Sequence, residues 1–157
     1  MERGLGYVAL GTADATVAFL HSTTSTRRPY LWITDRPSER PPDGGAVLRV
    51  TPLHEIPGTV DPKRLPDLRA AAVTFIERSG DCLILLDCLE CLVLHNGAER
   101  VERALADLHD DVAVRNGSLV VFADERTANP RLVAWLQREF DPLPWDPRAV
   151  PASVALI

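Results

Sequence analysis

A short apolar run near the middle of the chain, residues 82–86, contains no polar residue and stops at the carboxylate of Asp87. A run of this length without alternation is typical of a strand buried on both faces, and such strands belong to parallel sheets covered by helices. Ligands of open α/β sheets bind at the carboxyl ends of the strands. The hydrophobic pattern therefore predicts a parallel sheet and indicates Asp87 as a candidate site residue.

Other segments complete the pattern of predicted elements. Apolar segments bounded by turn residues predict strands over residues 6–10, 30–34, 46–50, 82–87 and 118–123, with residues 153–157 as a candidate final strand. Helical spacing predicts four helices: one capped by Thr12 or Asp14, one over residues 67–78, one capped by Asn96, and one opened by Asn129 and Pro130. The proline-rich stretch from 51 to 66 predicts an irregular connection.

This order of elements, β-α-β-β-α-β-α-β-α with the candidate last strand, indicates a fold class. It is typical of a three-layer αβα domain with a mostly parallel sheet. A chain of 157 residues is also the usual length of one domain. We therefore expect residues 1–157 to form a single α/β domain with a proline-rich tail from residue 141.

Composition and charge exclude several function classes. The net charge of −5 leaves no basic face, so we expect no nucleic-acid partner. The longest apolar stretch is shorter than the roughly 18 residues of a membrane span, and the first residues lack the pattern of a signal peptide. The chain has three cysteines, an odd number, and all three lie in one apolar region. This pattern favours a reduced cytoplasmic protein without a membrane association.

The turn after the first predicted strand argues against nucleotide hydrolysis. A phosphate-binding loop needs several glycines and a lysine. Residues 10–16 contain one glycine and no lysine, and Asp14 would repel a phosphate there. The single lysine of the chain, Lys63, lies in the proline-rich connection. The sequence therefore predicts no catalytic residue and no cofactor.

Carboxylates at the ends of predicted strands are the candidate ligand-binding residues. Asp87 follows a buried strand in the manner of a Walker B aspartate, and Asp35 follows the second strand. Glu90 and Arg36 stand beside them in the sequence and complete the candidate set. Asp35 and Asp87 would hold a metal or share a proton if they met in space. The alternative is structural: Asp87 caps the next turn, and Asp35 bonds to Arg36 or to the loop backbone.

Cys88 and Cys91 have the spacing of a thiol redox pair and are the redox candidates. Leu89 and Leu92 flank them, however, and cysteine is among the residue types most often buried. A second cysteine pair is missing and the histidines lack ligand spacing, so no metal site is predicted. Core packing is the alternative interpretation of both thiols.

Several segments resemble the DUF835 family, a domain of unknown function best known from archaea and often attached to sensor and kinase-like modules. The similarity covers nearly the whole chain. The matching pieces are Gly6-Tyr7-Val8, Ile33-Thr34-Asp35-Arg36-Pro37, Leu85-Leu86-Asp87-Cys88-Leu89-Glu90, Asn96-Gly97 and Leu136-Gln137-Arg138-Glu139-Phe140. The chain departs from the family pattern at Cys88, where glycine is usual, and at Cys91, where an aromatic residue is common.

The family looks like a reduced relative of the RecA and KaiC type ATPases, so the resemblance implies a RecA/KaiC-like fold without a phosphate loop. It also implies a function in signalling. We therefore expect a non-catalytic protein-interaction or sensory-adaptor module with a signalling protein as its partner. A nucleotide- or metal-binding sensor that uses Asp87 and Asp35 is the first alternative, and a redox protein that uses Cys88 and Cys91 is the second. The apolar end, residues 154–157, would allow a homodimer through a sheet edge.

Overall fold

The structure, a computed structural model, describes residues 5–11, 15–23, 28–36, 41, 45–53 and 56–145. Its centre is a seven-stranded sheet in which every neighbouring pair of strands is parallel. The strands are β1 (Gly6–Leu10), β2 (Tyr30–Thr34), β3 (Ala46–Val50), β4 (Thr59–Val60), β5 (Leu83–Leu86), β6 (Ser118–Ala123) and β7 (Asp141–Pro142). They lie in the order β4-β3-β2-β5-β6-β1-β7, so β5 is close to the middle of the sheet.

Five helices cover the two faces of this sheet unequally. They are α1 (Ala15–Thr23), α2 (Leu65–Ser79), α3 (Leu89–Asn96), α4 (Ala98–Val114) and α5 (Pro130–Glu139). The core on one face contains Phe19 and Leu20 of α1, whereas the core on the other contains the buried residues of α2 through α5. The sequence-based prediction of a three-layer α/β domain is therefore confirmed, and the sheet is parallel throughout the described strands.

The central strand shows why an unbroken apolar run was the strongest signal in the sequence. Leu83 and Leu85 point into the core beneath α1, while Ile84 and Leu86 point into the core beneath the other helices. All four side chains are at most 2% exposed. A strand buried on both faces needs apolar residues at every position, because each face packs against helices.

The start of α5 is the clearest local confirmation. The side chain of Asn129 accepts hydrogen bonds from the backbone nitrogens of Arg131, at 3.0 Å, and Leu132, at 3.2 Å. These bonds satisfy amide groups that have no partner inside the helix. Pro130, which has no N–H group to leave unsatisfied, occupies the first turn.

The prediction that Asn96 caps a helix start was wrong. Asn96 is instead the last residue of α3, which the sequence pattern did not indicate, and Gly97 separates α3 from α4. The Asn96 amide nitrogen donates to the carbonyl oxygen of Leu92 at 2.9 Å and to that of Pro62 at 2.8 Å. Tertiary contact with the connection before α2 therefore takes the side chain away from the backbone of α4.

Two short edge strands were also missed. β4 lies in the proline-rich connection that was expected to be irregular, and β7 contains Pro142. Proline is tolerated in edge strands because its missing N–H group is needed only in the interior of a sheet.

The predicted caps Thr12 and Asp14, and the predicted final strand with its dimer contact, lie outside the described residues. Within the described part of the chain, every helix falls short of the length and apolarity of a membrane span.

Candidate ligand-binding site

A cavity of about 340 Å³ opens at the carboxyl edge of the sheet, where β1, β2, β5 and β6 end. This is the edge at which ligands bind in open α/β sheets. Its charged and hydroxyl-bearing lining residues are Thr16, Asp35, Arg36, Asp87, Glu90, Asp124 and Thr127. All four of the ligand-binding candidates from the sequence thus line one cavity, although they come from two segments far apart in the chain.

Asp87 lies deepest in the hydrogen-bonding network of this cavity. The indole nitrogen of Trp32, a fully buried residue of β2, donates a hydrogen bond to Asp87 Oδ2 at 3.0 Å. The backbone nitrogen of Asp87 donates to the carbonyl oxygen of Ile33 at 3.2 Å. Both contacts follow from the parallel pairing of β5 with β2. Asp87 does not cap α3, whose cap position is Cys88 and has no side-chain hydrogen bond.

Two carboxylate oxygens in the cavity, Oδ1 of Asp87 and Oε1 of Glu90, are buried with no hydrogen-bond partner of normal geometry among the described residues, although the Thr34 and Thr16 hydroxyls lie near enough to Asp87 to affect its pKa. Glu90 lies in the first turn of α3, which begins directly after Asp87 and Cys88. Buried polar atoms in proteins nearly always have a partner, because an unmatched acceptor loses its hydration without compensation. These oxygens are therefore the places where a bound group that donates hydrogen bonds would gain most.

The surroundings of Asp87 raise the pKa of its carboxyl above the ordinary value. Burial is the largest cause, since it disfavours the charged form. The Thr34 hydroxyl, the Trp32 indole, the Arg36 charge and the Thr16 hydroxyl act in the opposite direction but do not cancel it. The carboxyl of Asp87 therefore takes up a proton or a positive partner more readily than a carboxyl in water.

Asp35 and Arg36 form the outer rim on the β2 side. Asp35 is exposed and makes no hydrogen bond or ion pair with another residue in the described ranges. The backbone nitrogen of Arg36 donates to the Thr34 hydroxyl at 3.2 Å, and its carbonyl oxygen accepts from the Arg49 guanidinium. The alternative expectation of a bond between the Asp35 side chain and Arg36 is therefore not observed, and the loop from residue 37 to 40 lies outside the described residues.

Asp124 is a lining residue that the sequence analysis missed. It follows the fully buried strand β6 as Asp87 follows β5, and this shared position is the signal that would have found it. The Arg126 side chain donates to Asp124 Oδ1 at 3.1 Å and to Oδ2 at 3.0 Å. These hydrogen bonds lower the pKa of Asp124, so its carboxylate stays charged while that of Asp87 is more easily neutralised.

The cysteines lie in the packed part of the domain. Cys88 is 1% exposed, and burial raises its pKa well above the ordinary value. Burial also raises the pKa of Cys91, whose Sγ lies 3.9 Å from His95 Nδ1. Reactive thiols need a lowered pKa, so these surroundings favour packing over redox chemistry. Among the described residues, no cluster of three or more histidine, cysteine, aspartate or glutamate side chains has an arrangement that would hold a metal ion.

Comparison with known families gives a match over residues 12–140 to a family described as a protein of unknown function, DUF835. The chain belongs to this family. The DUF835 match includes every charged residue of the cavity, from Asp35 to Asp124. A comparison with curated proteins finds no match.

Proposed function

We propose that this DUF835 protein is a non-catalytic sensory-adaptor module of cytosolic signalling that binds a small ligand in the carboxyl-edge cavity. The observation that carries the proposal is the pair of buried, unmatched oxygens, Asp87 Oδ1 and Glu90 Oε1, in one cavity. A structural carboxylate would have its acceptors satisfied by the protein itself. Acceptors that are left open inside a concave site are typical of residues that bind a ligand.

The charges around the cavity indicate the class of ligand. Among the described residues of its lining, four are acidic, Asp35, Asp87, Glu90 and Asp124, whereas Arg36 is the one basic residue. A protonated amine or a similar hydrogen-bond donor would satisfy both open oxygens and balance the charge. The phosphates of a nucleotide would instead face an excess of carboxylates, which supports an amine-type ligand over the nucleotide alternative.

The proposal also includes a relationship to the RecA and KaiC type ATPases. It is supported by Asp87 at the end of a buried parallel strand, in the manner of a Walker B aspartate. The first turn of the sheet retains Gly11, but the sequence has no lysine there. A fold that kept the strand-end carboxylate and lost the phosphate loop would suit binding better than hydrolysis.

Calorimetric titration tests the proposed function. Wild-type protein is titrated with a panel of small primary amines, diamines and guanidines, and separately with nucleotides in the presence and absence of magnesium. We expect at least one amine-type ligand to bind with an affinity that Asp87→Asn reduces about tenfold or more, because a charge-assisted hydrogen bond contributes roughly 1.5–3 kcal/mol. The matched control is Asp110→Asn, which changes an exposed aspartate of α4 outside the cavity.

Two results would contradict this proposal. Nucleotide binding that depends on Asp87 and magnesium would make the protein a nucleotide sensor. Equal ligand binding by Asp87→Asn and Asp110→Asn would show that the carboxyl-edge cavity is not the site.

A further inference from the structure

A second, larger depression lies on the outer surface of the helical layer and shares no described lining residue with the carboxyl-edge cavity. It has a volume of about 780 Å³ and lies between α2 and α4. The two helices pack on the sheet mainly through other positions, Leu68, Ala72 and Ile76 on α2 and Leu105, Leu108 and Val112 on α4, while Leu65 of α2 belongs both to the core and to the lining of the depression. The depression, which we call the α2–α4 groove, is therefore an outward-facing channel and not a gap in the core.

The groove is long enough to hold an α-helix. Its α4 wall runs from Arg100 to Arg115, which corresponds to about 22 Å at 1.5 Å per residue. Its apolar lining residues are Leu65, Pro66, Ala70, Val73 and Ala104. Small side chains between two packed helices allow a third helix to approach closely, with its ridge of side chains in the channel.

Ion pairs hold one end of the α2–α4 groove in place. The Arg69 guanidinium contacts both carboxylate oxygens of Asp111, with a distance of 3.2 Å from Nη2 to Oδ1. Arg69 also lies 3.8 Å from Asp107, and Arg115 lies 3.7 Å from Asp111. Both acidic residues of the lining thus have an arginine of the lining as their partner.

The other end of the groove carries positive charge without a partner. Arg100 and Arg103 are exposed, and neither makes an ion pair or hydrogen bond with another residue in the described part of the chain. Together with Arg69 and Arg115, they give the lining four arginines against two aspartates, on a chain with a net charge of −5. This surface therefore has the opposite sign to the molecule as a whole.

The position of Arg100 is also unfavourable for the helix that bears it. Arg100 lies in the first turn of α4, close to the positive end of the helix dipole. Cations stabilise the last turn of a helix, and acidic residues stabilise the first. Interaction with the helix dipole therefore gives no reason for an arginine at this position.

We infer that the α2–α4 groove is a docking surface for an acidic amphipathic helix of a partner protein. The apolar residues of that helix would cover the lining of the groove, and its carboxylates would pair with Arg100 and Arg103. A nucleic acid fits less well, because the groove is partly apolar and the molecule around it is negative. The inference rests on the adaptor part of the proposed function and not on the ligand of the carboxyl-edge cavity.

Fluorescence anisotropy with a defined peptide tests this inference. The probe is a labelled helical peptide of about 16 residues, matched to the groove at 1.5 Å per residue, with apolar residues along one stripe and glutamates beside it. The same peptide with lysine in place of glutamate tests the sign of the charge. The variant is Arg100→Glu with Arg103→Glu, and the control is Arg78→Glu with Arg138→Glu, which makes the same charge change at exposed arginines outside the groove.

We expect the acidic peptide to bind more tightly than the lysine peptide, and the Arg100→Glu/Arg103→Glu variant to weaken binding about tenfold. Added salt should weaken the wild-type complex and leave the variant nearly unchanged. Equal affinity for the two peptides, or an equal loss in variant and control, would overturn the inference. So would a single-stranded oligonucleotide that displaces the acidic peptide at a lower concentration than the unlabelled peptide does.

The two proposals, a ligand in the carboxyl-edge cavity and a partner helix in the α2–α4 groove, can fail independently of each other in these experiments. Titration of the Arg100→Glu/Arg103→Glu variant with the amine panel should give the wild-type affinity, because both arginines lie outside the carboxyl-edge cavity. Peptide binding by Asp87→Asn should likewise equal that of the wild type. Loss of both amine binding and peptide binding in either variant would indicate misfolding and would contradict the independence of the two surfaces.

Discussion

At the scale of single residues, Asp87 combines features that a purely structural carboxylate would not need. One oxygen accepts a hydrogen bond from the buried Trp32 indole, and the other is buried without a partner in the described structure. The hydrogen bond holds the side chain in one orientation, whereas the oxygen without a partner lowers the stability of the folded state. Residues with this combination of fixed geometry and perturbed pKa are concentrated at functional sites.

A stability measurement on Asp87→Asn tests this interpretation. Because the pKa of Asp87 is raised in the folded state, its contribution to stability is most favourable below the ordinary pKa of 3.8 and is lost as the pH rises through the folded-state value. The amide keeps an acceptor for Trp32 and carries no charge. We therefore expect the variant to be more stable than the wild type at neutral pH, by about 1 kcal/mol.

Urea denaturation from acidic to neutral pH would measure the difference in unfolding free energy between the two proteins. The difference should shrink as the pH falls and the wild-type carboxyl becomes protonated. Asp110→Asn is again the control, at an exposed position of α4. A variant that is less stable than the wild type at neutral pH would show that the charged carboxylate of Asp87 serves the fold.

At the scale of elements, the junction between α3 and α4 depends on one glycine. Gly97 separates the two helices with φ 84° and ψ 155°. This combination is essentially restricted to glycine, because a Cβ atom would clash with the backbone. Two separate helices, α3 and α4, can therefore follow β5 in direct succession, and Glu90 lies in the first turn of α3.

Gly97→Ala should therefore destabilise the protein by roughly 1–3 kcal/mol through the backbone alone. Beyond the neighbouring residues, an added Cβ at Gly97 would meet no described atom within 4 Å, so crowding by other parts of the fold makes no contribution. Gly11→Ala is the control, because its Cβ would meet only the Ala15 methyl at an ordinary 3.5 Å. Equal denaturation midpoints for the two variants would contradict the backbone argument.

At the scale of the whole molecule, the charges divide into two regions of opposite character. The carboxyl-edge cavity has an excess of acidic residues, while the α2–α4 groove on the helical layer has an excess of arginine. The proposed adaptor function would use two such surfaces, one for a signal and one for a partner. The cavity lies at the carboxyl edge of the parallel sheet, and the groove lies on the helical layer over one face of it.

The ion pairs of the groove predict a dependence of stability on pH that is opposite to that of Asp87. Hydrogen bonding to Arg69, with the charges of Arg69 and Arg115, lowers the pKa of Asp111. Its contribution to stability is therefore present above the ordinary pKa and is lost as the pH falls through the lowered value.

Asp111→Asn should remove that part of the acid dependence and make stability less sensitive to salt. The effect should be small, because ion pairs near the surface are screened. Thermal denaturation at low and high salt, with Asp110→Asn as the control, would measure it. An unchanged acid dependence in Asp111→Asn would show that the pair with Arg69 does not form in solution.

Elements whose signal is local could be predicted from the sequence alone. The unbroken apolar run of β5 is typical of a strand buried on both faces, and Asn129 with Pro130 can cap a helix without help from distant residues. The parallel sheet followed from these patterns, as did Asp87 at its carboxyl edge. Each of these features depends on residues that are neighbours in the chain.

Which side chains meet depends on the tertiary structure. β2 and β5 are separated by about 50 residues of sequence, yet their pairing brings Asp35 and Arg36 to the same cavity as Asp87 and Glu90 and gives Asp87 its hydrogen bond from Trp32. Asn96 lost its predicted capping role to a contact with the carbonyl of Pro62, and the α2–α4 groove exists only where two distant helices pack side by side. Strand order and helix packing depend on the burial of the whole core, so no local pattern of residues specifies them.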